Sequence, residues 1–296
     1  MTADRTLLAR HALRKALEER RQAGVGAADP ICVYDLVERR GTEVKFWPVP
    51  SMEGMYYKTD PPVIVVSSER PAGRQASTCA HEYGHHVFGH GTRVDKLLSN
   101  TAPAKNKDPK ERLADIFAGY LLMPRRAVEA AFVVRGWDLA PCTPLQAYIV
   151  AGQLGVGYET LIQHMRWSLQ ILSADHAERL LHESPKQLRI SLLGEDSTPR
   201  LLIVDQHWTK VAADLQVGET AILPRGTITE GKVVRAVGEH DLGTIVQGYT
   251  PGTERAHLPG SDWAVNVRVS RKGYIGRSMF RHFEDPDDND QTSADQ

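Results

Sequence analysis

Cysteine is scarce. Cys32, Cys79 and Cys142 are the only three in 296 residues. Their number is odd, they are scattered and no CxxC pair occurs, which excludes a disulfide framework and favours a reducing compartment. An excess of charge of either sign is also missing: 36 Lys and Arg against 37 Asp and Glu leave a formal net charge of −1. Bulk electrostatics therefore argue for neither a nucleic acid nor an acidic membrane surface as partner. No apolar run approaches the roughly 20 residues of a bilayer span. The first 22 residues, MTADRTLLARHALRKALEERRQ, hold no apolar signal core. Together these absences predict a soluble cytoplasmic protein without a membrane partner. No internal repeat is visible.

What is present is an ordinary globular composition, 41% hydrophobic and 25% charged, over a length that suits two modest domains. Residues 3–22 read as one helix, ended by Gly24-Val25-Gly26. Asp29-Pro30 looks like an N-cap and first turn of a second helix reaching Arg39, with Gly41 as its left-handed terminator. Runs of β type at 44–47, 55–58 and 63–66 predict a small sheet, and 72–181 reads as mostly helical. From Leu188 onward the pattern becomes short β-type runs, at 190–193, 201–204, 220–223, 232–237, 243–247 and 264–269. The expected architecture is α+β. A mainly helical domain with a small β-sheet spans 1–136, a helical segment 137–186, an all-β domain 187–283 and a disordered acidic tail 284–296.

The stretch 78–90, TCAHEYGHHVFGH, carries the chemistry. His81-Glu82-Tyr83-Gly84-His85 fits HExxH. At about 100° per residue, His81 and His85 lie about 40° apart on one helical face, one turn up, so both imidazoles can reach one zinc ion. Glu82 sits beside that face, where it can take a proton from an activated water. Ala76, Cys79, Ala80, Tyr83 and Val87 form an apolar stripe on the opposite side, as a helix with one face in the core needs. A third ligand decides between a metal site and a His-rich surface helix. His90 misses the extended HExxHxxGxxH spacing by one residue, so a helix cap or a supporting role suits it better.

The better candidate is Glu111. Residues 108–124, DPKERLADIFAGYLLMP, begin with an Asp-Pro cap and stop at a proline. Glu111 and Asp115 share one face of a helix that is apolar on most others. This predicts a buried helix whose two carboxylates need a cation or a histidine as partner. Glu111 also fits the third position of a capping box begun by Asp108, which would account for Glu111 alone.

These two segments together resemble the ImmA/IrrE family of zinc metallopeptidases. The likeness rests on QASTCAHEYGH at 75–85 and ERLADIFAGYLLMP at 111–124, and extends over roughly 29–135. It implies zinc held by His81, His85 and Glu111, Glu82 as base, and Asp115 as an acceptor orienting a ligand histidine; the His and carboxylate donors themselves also suit manganese. It further implies a zincin-like cytoplasmic regulator, in transcription or stress response, that cleaves a helix-turn-helix repressor or antitoxin-like partner. The rival is a non-proteolytic binding protein that keeps the scaffold. Tyr83 and His86 depart from the family's aliphatic residues, and the β region matches no part of it.

Other signals read as structural. Residues 143–167 resemble a helix-turn-helix, opening with a Thr143–Gln146 capping box, but Glu159, Gln163, His164 and Arg166 form no basic cluster, so DNA binding is disfavoured. The pairs Arg20-Arg21, Arg39-Arg40 and Arg125-Arg126 read as solvated helix ends. The remaining histidines show no ligand spacing. Tyr56, Tyr57 and His86 are guesses for an oxyanion donor.

Overall fold

The computed structural model describes residues 3–96 and 108–283, so the acidic tail lies outside the described residues. The chain divides into two compact units. One comprises residues 3–195 together with 275–279, and the other 196–274 together with 280–283.

The first unit opens with helix α1 (Ala3–Gln22), after which the chain reverses at Gly24, φ +74°. Helix α2 (Val33–Arg39) starts later than the Asp-Pro pair suggests. The Asp29 carboxylate instead accepts the Gly26 N–H at 3.1 Å, closing the preceding turn. Gly41 terminates α2 at φ +84°, as expected. Strands β1 (Glu43–Trp47), β2 (Met52–Tyr57) and β3 (Val63–Ser67) then lead into helix α3 (Ala72–Val87). The short strand β4 (Arg93–Lys96) follows. It was not legible in sequence, because its only apolar residue is Val94. These strands and the pair Gly276–Arg277 form one mixed sheet in the order 276–277, β1, β3, β2, β4, with β1 and β3 parallel. Burial alternates along it, and Val44, Phe46, Met52, Gly54, Tyr56, Ile64 and Val66 point inward.

Helix α4 (Pro109–Leu122) is capped by Asp108, whose side chain accepts the Lys110 N–H at 3.0 Å. It packs on α1 and α3. Arg20 corrects the reading of its pair as a solvated helix end: it is 0% exposed. Its guanidinium donates to the carbonyls of Leu121 at 2.7 Å and Gly26 at 2.9 Å, and to that of Asp29. It thereby satisfies a helix-end carbonyl that has no intrahelical partner. Arg40 is likewise committed, to Glu19 at 2.8 Å.

The unit continues with α5 (Arg125–Val133), α6 (Pro144–Gln153) and α7 (Tyr158–Gln163), which runs into a π-helical turn at His164–Ser168. The Thr143–Gln146 capping box is formed. Tyr158, Leu161, Ile162, His164 and Met165 are buried, and His164 Nε2 meets the Met123 carbonyl at 2.9 Å. Helices α8 (Ala174–His182) and α9 (Pro185–Leu193) complete the unit. Helix α9 replaces the β-type run expected at 190–193. Ser184 and Gln187 form a second capping box and start a helix there, and this overrides the apolar content of the run. No helix among the described residues is long and apolar enough to cross a membrane.

The second unit is strand-rich. Its strands are β5 (Leu201–Ile203), β6 (Ala213–Gln216), β7 (Thr220–Leu223), β8 (Ile228–Thr229), β9 (Val234–His240), β10 (Gly243–Gly248), β11 (Gly252–His257) and β12 (Ala264–Ser270). They make two four-stranded sheets, ordered β5-β7-β10-β9 and β6-β12-β11-β8. Trp208, Leu215, Leu223, Val246, Val267 and Val269 are part of its core.

Candidate metal centre

Helices α3 and α4 bring the predicted residues together. Nε2 of His81 and Nε2 of His85 are 3.1 Å apart, and Oε2 of Glu111 lies 3.2 Å from the first and 3.4 Å from the second. The approach is close because position 84 is glycine. A Cβ there would stand 3.1 Å from Cα of Ala114 and 3.1 Å from Cδ1 of Phe117 on α4. Any larger residue would push the two donor-bearing helices apart. The capping alternative for Glu111 gives way: its carboxylate is spent on the histidines, while Asp108 caps the helix alone. His81 beside it holds the Glu111 carboxyl below the usual carboxylate range.

The expectation that both carboxylates are buried needs correcting. The α4 face carrying them looks outward, with the Glu111 side chain 23% and the Asp115 side chain 43% exposed. His81 and His85 supply the buried half, at 8% and 0%. The α4 side chains are thus the more exposed half of the centre. Asp115 Oδ1 lies 2.9 Å from Nδ1 of His81. On the other histidine, Nδ1 of His85 faces Nδ1 of His90 at 2.9 Å.

Glu82 is fully buried. Its neighbour across the interface with the sheet is Gly54 of β2, where a Cβ would come within 3.0 Å of Glu82 Oε1 and 2.4 Å of Thr78 Cγ2. The sequence reading missed Gly54. An isolated glycine inside a strand pattern, which commonly marks a close approach, was the available signal. Tyr56 and His86 meet each other, hydroxyl to Nδ1 at 2.9 Å. Tyr56 is 3% exposed, and His86 stacks on Tyr83, whose hydroxyl donates to Glu19. Both therefore belong to a packed network between α3, β2 and α1, which leaves neither poised as an oxyanion donor.

Bonds of about 2.0–2.2 Å from a tetrahedral zinc place its ligand atoms roughly 3.3–3.6 Å apart. The observed separations of 3.1, 3.2 and 3.4 Å fall within a few tenths of this. Among the described residues, His81, His85 and Glu111 are the group whose donor atoms converge in this way. Two imidazoles and one carboxylate suit zinc chemically, and three protein donors leave a position for water or substrate.

Residues 37–166 match the family model described as the IrrE N-terminal-like domain, Peptidase_M78. Among solved structures, a Mycobacterium tuberculosis transcriptional regulator is similar at 23% identity, with a TM-score of 0.32. That match covers 53% of this chain and 46% of the regulator, so this chain spans less than half of its length. No curated protein matches. The family match contains every residue of the candidate centre, from His81 to Asp115. The match over residues 37–166 supports the resemblance to the ImmA/IrrE family read from the sequence.

Proposed function

We propose that the protein is a zinc-dependent endopeptidase of regulatory type that makes a limited cut in a partner protein, a helix-turn-helix repressor or antitoxin-like protein. The observation that carries this reading is the convergence of three donor atoms within 3.4 Å beside a buried glutamate one residue from the first histidine.

In this reading His81, His85 and Glu111 hold the metal. Asp115 accepts the Nδ1 proton of His81, which leaves the Nε2 lone pair facing the donor cluster. When bound, zinc supplies a Lewis acid for the scissile carbonyl and lowers the pKa of water towards about 7. Glu82 takes the proton of the attacking water and passes it to the leaving amine. The close packing of Gly54 of β2 against Glu82 helps to position that carboxylate, and the polypeptide would approach from the more exposed α4 side. Manganese is the alternative ion, since imidazole and carboxylate donors suit several divalent metals. The three proposed ligands all lie in the first unit, and the proposed work of the strand-rich unit is to sense a signal or select the partner. The proposed location is the cytoplasm.

The test is to incubate the zinc-loaded protein with helix-turn-helix proteins encoded beside it and to look for discrete fragments by mass spectrometry. Glu82→Gln should still bind the partner and yield no fragments. If wild type and Glu82→Gln act on the partner identically and neither cuts it, the protein works by binding alone.

A further inference from the structure

In the proposed centre the two ligand histidines lean on different neighbours. His81 has the carboxylate of Asp115, whereas His85 has a second imidazole, that of His90. The chain brings His90 there by a specific turn. Gly89 ends α3 at φ +64°, with its N–H donating to the His86 carbonyl at 3.0 Å and the His90 N–H donating to the His85 carbonyl at 3.0 Å. This pair of bonds is a Schellman closure, which needs a left-handed residue at the position Gly89 occupies. It folds the chain back so that the side chain of His90 returns over the helix end. There its ring stands edge-on to His85, 5.0 Å between centroids, and stacks on Phe88 at 5.7 Å; Phe88 in turn packs on Phe117 of α4.

Two imidazole nitrogens 2.9 Å apart share one proton, so one donates and the other accepts. Nε2 of His85 belongs to the donor cluster and must offer a lone pair. The ring proton of His85 therefore sits on Nδ1 and is donated to Nδ1 of His90. His90 cannot itself be a ligand in this arrangement, because the nitrogen it presents faces the side of His85 remote from the cluster. We propose that His90 is a positioning residue of the metal centre, the acceptor that fixes the tautomer and ring angle of His85. The inference rests on the metal-binding reading, and it explains why a histidine one residue out of step with the extended zinc motif is still useful.

The experiment measures zinc affinity by chelator competition, together with the visible spectrum of the cobalt-loaded protein, in wild type, His90→Phe and His90→Asn. Phenylalanine keeps an aromatic ring to stack on Phe88 but cannot accept a proton. Asparagine can place an oxygen near the position of Nδ1. The expected result is an affinity loss on the order of 10-fold in His90→Phe with a changed cobalt spectrum, and substantial recovery in His90→Asn. Thermal melting of the metal-free proteins separates this from a folding defect. Equal zinc affinity and cobalt spectra in wild type and His90→Phe overturn the role of His90 while leaving the metal centre standing. Failure of the wild type to bind either ion overturns both.

Discussion

Oδ1 of Asp115 lies 2.9 Å from Nδ1 of His81, on the opposite side of the ring from the nitrogen that faces Glu111 and His85. One imidazole thus links an exposed carboxylate to the donor cluster, and in the proposed centre its two nitrogens divide the work: Nδ1 holds a proton and Nε2 gives a lone pair. If so, Asp115→Ala should weaken zinc binding by roughly 10- to 100-fold, as loss of such outer contacts generally does. Chelator competition measures this. Unchanged affinity with a lowered melting temperature would assign Asp115 to stability alone.

The donor triangle itself predicts stoichiometry. Purified wild-type protein should hold about one zinc per chain, as expected for a single His2Glu site. His81→Ala and Glu111→Ala should each lower occupancy sharply in elemental analysis. Full occupancy in Glu111→Ala would remove Glu111 from the ligand set.

Gly54 predicts a steric coupling between sheet and base. A methyl group there meets Thr78 Cγ2 at 2.4 Å and Glu82 Oε1 at 3.0 Å. Gly54→Ala should destabilise the fold by about 1–3 kcal/mol, the usual cost of overpacking. It should also impair any peptidase activity by displacing Glu82. Adding Thr78→Ser, which removes the clashing methyl, should recover part of the stability in urea unfolding. No recovery would mean that the strand, and not Thr78, absorbs the strain.

His164 predicts a pH dependence. Burial pushes its pKa down to about 4, against the ordinary value near 6.5, even though the Met123 carbonyl favours the charged form. The unfolded chain therefore binds this proton before the folded one does. The stability that neutral His164 contributes is complete above pH 6.5 and is lost as the pH falls from there through about 4. The full loss is about 3 kcal/mol by linkage. Unfolding measured between pH 7 and 4.5 should show a shallower slope in His164→Asn than in wild type. Parallel slopes would contradict the assignment.

The helices bearing the site were legible because their signals are local. HExxH fixes a helical face by itself, Asp108-Pro109 starts α4, and the proline at 124 stops it. Their juxtaposition was legible only through the resemblance, since nothing in the spacing of 81 and 111 dictates that they meet. What escaped depends on long-range packing. Arg20 looks like any charged residue near a helix end, and only the fold puts the Leu121 carbonyl within its reach. Strand β4 has too few apolar residues to announce itself and is fixed by pairing with β2. Asp29 could cap a helix or close a turn, and the competing Gly26 amide decided it. At 190–193 the capping box before the run outweighed its apolar residues.

The strand at Gly276–Arg277 pairs antiparallel with β1, Lys45 opposite Arg277 and Phe46 opposite Gly276, and the Ser278 hydroxyl donates to Glu38 at 2.9 Å. About 230 residues separate these partners along the chain. A ribosome delivers polypeptide from the N-terminus, and domains commonly fold as they emerge. Here that order cannot finish the job. The helices α3 and α4 are made early, but the β1 edge of their sheet stays unpaired until residues 276–277 have been synthesised. A nascent chain that has not reached residue 276 carries the proposed donors on a sheet whose β1 edge lacks its partner strand.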